Sequence, residues 1–153
     1  EYESVNGMKL ILLCVGKLKG SDLRSLSLEY EKRIGKHWAL DIVEVGESDK
    51  VTENKKLREK IDGKKSFTIA FDKSGTLFTS ESFSTLLQER SGGNDVVTVV
   101  IGGSEGLDDE TLKVCNIRAS MGKMTFPHQL ARIVVLEQLY RSQEIIHGTK
   151  YHK

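Results

Sequence analysis

The chain has 153 residues, the length of one ordinary domain, and 38% of them are hydrophobic, enough to bury a core without metal or disulfide staples. Its 23 Lys and Arg against 22 Asp and Glu leave a net charge of +1, which excludes a histone-like polycation or an acidic tail protein. No stretch approaches the ~18 consecutive apolar residues of a bilayer span, and the start lacks a basic-then-apolar leader, so the expected location is cytoplasmic with no membrane partner. The two cysteines, Cys14 in an apolar strand-like run and Cys115 in a helical one, fit neither a disulfide framework nor a metal site; both read as small buried residues in a reducing compartment.

In chain order, Glu1–Gly7 is polar and precedes the first methionine, Met8; it reads as a tag or disordered extension, leaving 8–153 as a single domain. Four apolar runs, Leu10–Val15, Leu40–Val45, Phe67–Phe71 and Val96–Ile101, predict buried strands. Helical spacing fills the intervals. Leu23, Leu26, Tyr30 and Ile34 follow a cap at Ser21 or Asp22 and end near Gly35; Leu57 and Ile61 follow Thr52; Phe83, Leu86 and Leu87 lie in Ser80–Arg90, stopped by Gly92-Gly93. This alternation predicts an α/β fold with a mostly parallel sheet and helices on both faces, and the β-branched run Val96–Ile101 as its central strand.

That strand ends in Gly102-Gly103-Ser104-Glu105-Gly106. Three glycines in five residues at the carboxyl end of a central strand suit close approach by a ligand, or a tight turn into a helix at Leu107–Val114. The segment is neither a P-loop nor a G-x-G-x-x-G fingerprint. The acidic Glu105, Asp108, Asp109 and Glu110 favour a neutral or cationic ligand over phosphate. Pro127 and Gly148 bracket a last helix whose Leu130, Ala131, Ile133, Val134, Val135 and Leu136 cover more than one face. A second copy of the chain is the economical cover, so a homodimer is expected.

Charge is unevenly spread. Thr111–Lys153 holds seven cations and two carboxylates, an excess of five, so the other 110 residues sum to −4. His128, His147 and His152 also lie there, making this third a candidate phosphate-facing surface. The terminal Tyr151-His152-Lys153 offers stacking, proton transfer and phosphate contact together, or is simply solvated.

Met8-Lys9-Leu10 leading to Val15-Gly16-Lys17-Leu18, then Glu29-Tyr30-Glu31-Lys32-Arg33, Val100–Leu107 through the glycine turn, Lys123-Met124-Thr125-Phe126-Pro127-His128, Glu137-Gln138-Leu139-Tyr140-Arg141 and Tyr151-His152-Lys153 together carry a likeness running in register from Met8 to Lys153. By these motifs the chain resembles the RlmH family, the SPOUT-class methyltransferases of large-subunit rRNA that act on N3 of a pseudouridine. The resemblance implies a C-terminal trefoil knot, S-adenosylmethionine bound within it, and a homodimer whose partner helps form each site.

Carried onto matching positions, it implies cofactor contacts at Phe71, Gly102, Met121, Gly122, Lys123, Met124, Thr125 and Phe126. Phe71 stands where the family has Leu, and Met121-Gly122 where it has Leu-Ser or Phe-Ser. On the substrate side, His152, Arg141 and Tyr151 are the expected catalytic residues, with Arg132, Lys150, Lys153 and His128 toward RNA and no metal. Glu137 and Arg141, four apart on a helix, are expected to pair with each other. The expected substrate is 23S rRNA in the assembled ribosome. The competing readings are a non-catalytic ribosome- or RNA-binding module of the same fold and a dinucleotide-dependent oxidoreductase, which the missing fingerprint disfavours.

Overall fold

A computed structural model of the chain describes residues 7–63, 65–91 and 96–153; all but Gly7 of the expected N-terminal extension, and the Gly92-Gly93 stop, lie outside them. The elements are β1 (Lys9–Val15), α1 (Ser21–Ile34), β2 (Ala39–Val45), α2 (Lys50–Asp62), β3 (Phe67–Leu77), α3 (Ser80–Ser91), β4 (Val96–Ile101), α4 (Asp109–Lys113), β5 (Ile117–Ser120) and α5 (His128–Ile146). The strands form one sheet of order β2-β1-β4-β3-β5, parallel at every pairing, with β4 between β1 and β3 as expected of its β-branched run.

The period-two alternation of the central strands supplies two cores. Leu10, Leu12, Cys14, Val97 and Val99 pack with Ile34 of α1, Phe83 and Leu87 of α3, and Ile133, Leu136 and Leu139 of α5. On the opposite face, Leu13, Val15 and Val100 meet Leu57 and Ile61 of α2 with Leu107 and Leu112. Each large side chain so buried contributes about 1.5–3 kcal/mol. Because both faces are covered, β1 and β4 read as continuous apolar runs rather than alternating ones.

α5 contacts both α1 and α3. The chain itself therefore absorbs much of the helix's apolar surplus: Ile133, Val135, Leu136 and Leu139 are buried, while Leu130 remains 40% exposed. At its end Gly148 takes φ 71°, its N–H donates to Ile145 O, and the Thr149 N–H donates to Glu144 O. This Schellman closure turns the chain back, returning the last residues along α5.

Several expectations are corrected. β2 is an edge strand, with only Val45 buried; among the described residues it pairs with β1 alone. β3 continues past Phe71 to Leu77 and, through an irregularity between Phe71 and Thr76, pairs with the short β5, which the sequence reading did not identify. The helix expected over Leu107–Val114 is only Asp109–Lys113: Asp108 caps it through the Thr111 N–H, and Leu107 is drawn into the core. Cys115 accordingly falls beyond the helix and is half-buried. Neither Ser21 nor Asp22 caps α1; Gly20 occupies that position and no side chain bonds there.

Candidate functional site

The carboxyl ends of β3, β4 and β5 surround a cavity of about 420 Å³, placed where open α/β sheets bind ligands. One wall is the glycine turn. The Gly106 N–H donates to Gly103 O at 3.0 Å, and a Cβ on Gly102 would sit 2.7 Å from the Gly106 carbonyl carbon, so only glycine permits this bend. Asn54, fully buried on α2, clamps it from behind: its amide donates to Gly106 O at 3.2 Å and to Lys50 O at 2.9 Å, and its Oδ1 accepts from the Asp108 N–H at 3.0 Å. The reading of the sequence missed Asn54. Its signal is there: it falls at i, i+3, i+7 with Leu57 and Ile61, a polar residue on an apolar stripe.

The facing wall is the segment from Ser120 to Phe126. Ser120 Oγ, itself buried, accepts from the Gly122 N–H at 3.1 Å, and Lys73 donates to Thr125. Of the residues expected to hold a cofactor, Phe71, Gly102, Met121, Gly122, Met124, Thr125 and Phe126 all line the cavity; Lys123 does not and is exposed. Ile101, Leu107, Ala131 and Val135 add apolar surface.

Charge at the cavity comes from Lys50 and Lys73 against Asp72 and Glu105, with the His128 imidazole beside them. Of the acidic cluster only Glu105 reaches it. Asp108 has a structural role: burial opposes its ionisation, but bonds from the Thr111 N–H and from Arg58 outweigh that and hold its pKa below the usual carboxylate range.

A second cluster lies farther along α5. Arg141 donates to both oxygens of Glu137, at 3.3 and 2.9 Å, which is the pairing their spacing predicted. The returning tail sets the Tyr151 hydroxyl 2.8 Å from Glu137 Oε2, its ring beneath the Arg141 guanidinium at 4.8 Å and edge-on to Tyr140. Burial first, and the Glu137 bond second, push the Tyr151 phenol up to about 12.

His152 is held at both nitrogens, with Nδ1 3.0 Å from Arg141 and Nε2 2.8 Å from Glu81 on α3. A guanidinium only donates, so this geometry assigns the accepting lone pair to Nδ1 and the proton to Nε2. The His152 bond also draws the Glu81 pKa below its ordinary value. Arg141, Tyr151 and His152 are thus brought together, but away from the cavity. From Val135, which lines it, Arg141 is six residues on, about 9 Å of helix rise.

The expected RNA-facing residues separate. Arg132 is a correction: its side chain is 3% exposed, bonded to Glu44 at 2.7 Å and to Gly16 O at 2.6 Å, and cannot reach a phosphate. His128 is half-buried on the cavity wall, 3.4 Å from Glu47 but without hydrogen-bond alignment. Lys150 and Lys153 are exposed. His147 stacks on His37 at 4.2 Å, outside both clusters. The two cysteines are free; desolvation raises each thiol to about 11, and neither is close to a thiolate near neutrality. Among the described residues no helix is long and apolar enough to cross a membrane.

Comparison with known proteins supplies the context. The family profile described as "Predicted SPOUT methyltransferase" matches residues 8–152. A protein of Clostridium botulinum strain Kyoto named ribosomal RNA large subunit methyltransferase H is 41% identical over 160 residues, covering 95% of this chain and 100% of that one. The protein of the same name from Clostridium acetobutylicum is 39% identical at the same coverage. Among solved structures, a probable methylase family protein from Haemophilus influenzae superposes with a TM-score of 0.59 at 13% identity, over 95% of this chain and 70% of that one. A putative methyltransferase from Legionella pneumophila, solved with bound SAM, gives 0.54 at 12%, over 86% and 65%. These structural likenesses are of the fold.

Proposed function

The chain belongs to the SPOUT methyltransferases and, among them, to the RlmH family, and on that premise we propose that it is an S-adenosylmethionine-dependent methyltransferase of large-subunit rRNA, acting in the cytoplasm on N3 of a pseudouridine in the assembled ribosome. The observation that carries the proposal is the cavity joining the glycine turn to the Ser120–Phe126 segment. Its volume suits a nucleoside with an amino-acid tail. Apolar walls at Phe71, Ile101 and Leu107 suit an adenine ring, and two stretches of backbone supply hydrogen-bonding groups to its edge. Glu105 offers a negative charge to a sulfonium.

The cofactor supplies a methyl group on that sulfonium: a C–S bond breaks, an N–C bond forms, and the imide proton of the acceptor must leave. Geometry is then the main requirement, and the rigid turn and its Asn54 clamp meet it by fixing one wall of the cavity. His152 is the residue proposed to take the proton. In the observed arrangement its lone pair is engaged by Arg141, so an incoming base has to displace that contact. Arg141 then faces the developing negative charge on the base, Tyr151 stacks, and Lys150, Lys153 and Lys123 lie on the RNA side.

The homodimer belongs to the same proposal, with the partner chain contributing to each site. Its support is the exposed apolar surface beside the cavity: Met124 at 81%, Leu130 at 40%, Phe126 at 39% and Met121 at 37%. The trefoil knot is proposed too, on the path from β5 at one sheet edge through residues 121–127 to an α5 seated between α1 and α3.

Calorimetry with S-adenosylmethionine and mass spectrometry of rRNA test the reading. Micromolar binding is expected, as is one methyl group missing from the rRNA of a deletion strain and restored by this chain but not by a copy ending at Lys150. No binding at millimolar cofactor would leave the non-catalytic module in its place.

A further inference from the structure

A second cavity of about 210 Å³ opens beside the first, sharing Phe71, Ser120, Met121 and Phe126 with it. It falls below the ~300 Å³ floor of pockets for drug-sized ligands and cannot duplicate the first, but it suits one planar ring. Three phenylalanines shape it: Phe71 and Phe78 each meet Phe83, at 5.7 and 6.0 Å between ring centres. Phe78 and Phe71 are only half-buried, leaving ring surface for a further partner.

Its polar side is equally specific. Ser80 Oγ donates to Gln138 Oε1 at 2.6 Å, and Gln138 Nε2 donates to Glu137 Oε1 at 3.1 Å. The two bonds fix the amide's orientation and occupy one of its two N–H groups; the second has no acceptor among the described residues. This corner also lies next to the tail cluster. Ser80 precedes Glu81, which holds His152, and Gln138 is one turn before Arg141 on α5.

We propose that this aromatic cavity is the acceptor-base subsite, taking a single uracil-type ring between the cofactor cavity and His152, with Phe78 as the stacking surface and Gln138 donating to a ring carbonyl. The proposal rests on the methyltransferase reading and specifies how its substrate is seated. Aromatic stacking is sequence-tolerant, so discrimination falls to the amide. A uracil-type edge presents carbonyls flanking an imide N–H and accepts from Gln138. A cytosine edge presents an amino group at the corresponding place and leaves two donors facing each other.

The test uses the full chain saturated with S-adenosylhomocysteine, titrated with pseudouridine 5′-monophosphate and observed through the Val134 methyl resonances, since Val134 lines this cavity and not the first. Saturable shifts at Val134, absent with cytidine 5′-monophosphate, are expected. In parallel, Gln138→Leu and Phe78→Leu are expected to raise KM for assembled ribosomes at least tenfold with cofactor affinity unchanged. Val134 shifts that are absent, or equal for both nucleotides, overturn the subsite, as does a Gln138→Leu enzyme that is folded by circular dichroism and has an unaltered KM. Failure of the wild-type chain to bind cofactor or methylate assembled ribosomes would strike the methyltransferase reading instead, so the two failures are separable.

Discussion

The glycine turn and the C-terminal tail are both required by the proposed chemistry, yet they are built in opposite ways. The turn is made of main chain, seated against the fully buried Asn54, and leaves no room for a Cβ at Gly102. The tail is made of side-chain bonds: Glu137 accepts from Arg141 and Tyr151, and His152 spans Arg141 and the exposed Glu81. A site that encloses a cofactor gains from a wall that does not move, whereas one that must admit a polymer gains from contacts that can be exchanged. The turn should therefore respond to steric change and the tail to charge and pH.

The largest expected loss of cofactor affinity follows from steric change at the turn. Gly102→Ala puts a Cβ 2.7 Å from Gly106 backbone, which no rotamer relieves. Cofactor affinity should fall by at least about a hundredfold, about 2.7 kcal/mol, in calorimetry. Met121→Leu, which changes a 37%-exposed side chain on the facing wall, should stay within a few-fold. Comparable losses for both would mean that side chains, and not the main chain, define the cavity.

Arg132 sharpens the same contrast, because its sequence context gives it to the RNA side and its bonds give it to the scaffold. Arg132→Met removes a buried guanidinium and strands Gly16 O and Glu44; about 3 kcal/mol of stability should be lost in urea unfolding. The slope of rRNA affinity against salt should not change. Lys150→Ala with Lys153→Ala should do the reverse, preserving stability and lowering the slope by about 0.7–0.9 for each phosphate contact removed.

That contrast marks where sequence reasoning reaches and where it stops. The strands β1 and β4 were legible because a central parallel strand needs apolar residues on both faces, and the glycine turn because its composition tolerates little else. β5 was not: four residues, Ile-Arg-Ala-Ser, with two exposed or half-exposed side chains, fall below any periodic signal, and only pairing with the prolonged β3 makes them a strand. Arg132 misled because charge along a chain carries no direction; the helix phase that buries Val135 and Leu136 buries its stem as well. Seven of the eight positions that the resemblance assigned to the cofactor line the cavity, yet Asn54 and Glu81, in the charged helix α2 and at the start of α3, act through contacts 52 and 71 residues away in the chain.

The smallest effect is the one that reads the tail directly. Tyr151 ordinarily titrates near 10, and in the folded chain burial and the Glu137 carboxylate push it up to about 12. A raised folded-state value means the neutral phenol is the form the fold prefers. The stability it lends to the docked tail is therefore complete below about pH 10 and is lost as pH rises through 12. At the other end Glu81, lowered by its bond to His152, contributes above its ordinary 4.5 and is lost as pH falls through the depressed value. The docked tail is thus most secure between those limits. Absorbance at 295 nm should show one phenol titrating about 12 in the wild type and missing in Tyr151→Phe, and limited proteolysis of the variant near neutral pH should release the tail sooner. A Tyr151 that titrates near 10 is neither buried nor bonded to Glu137, and the tail would then lean on the contacts of His152 with Arg141 and Glu81.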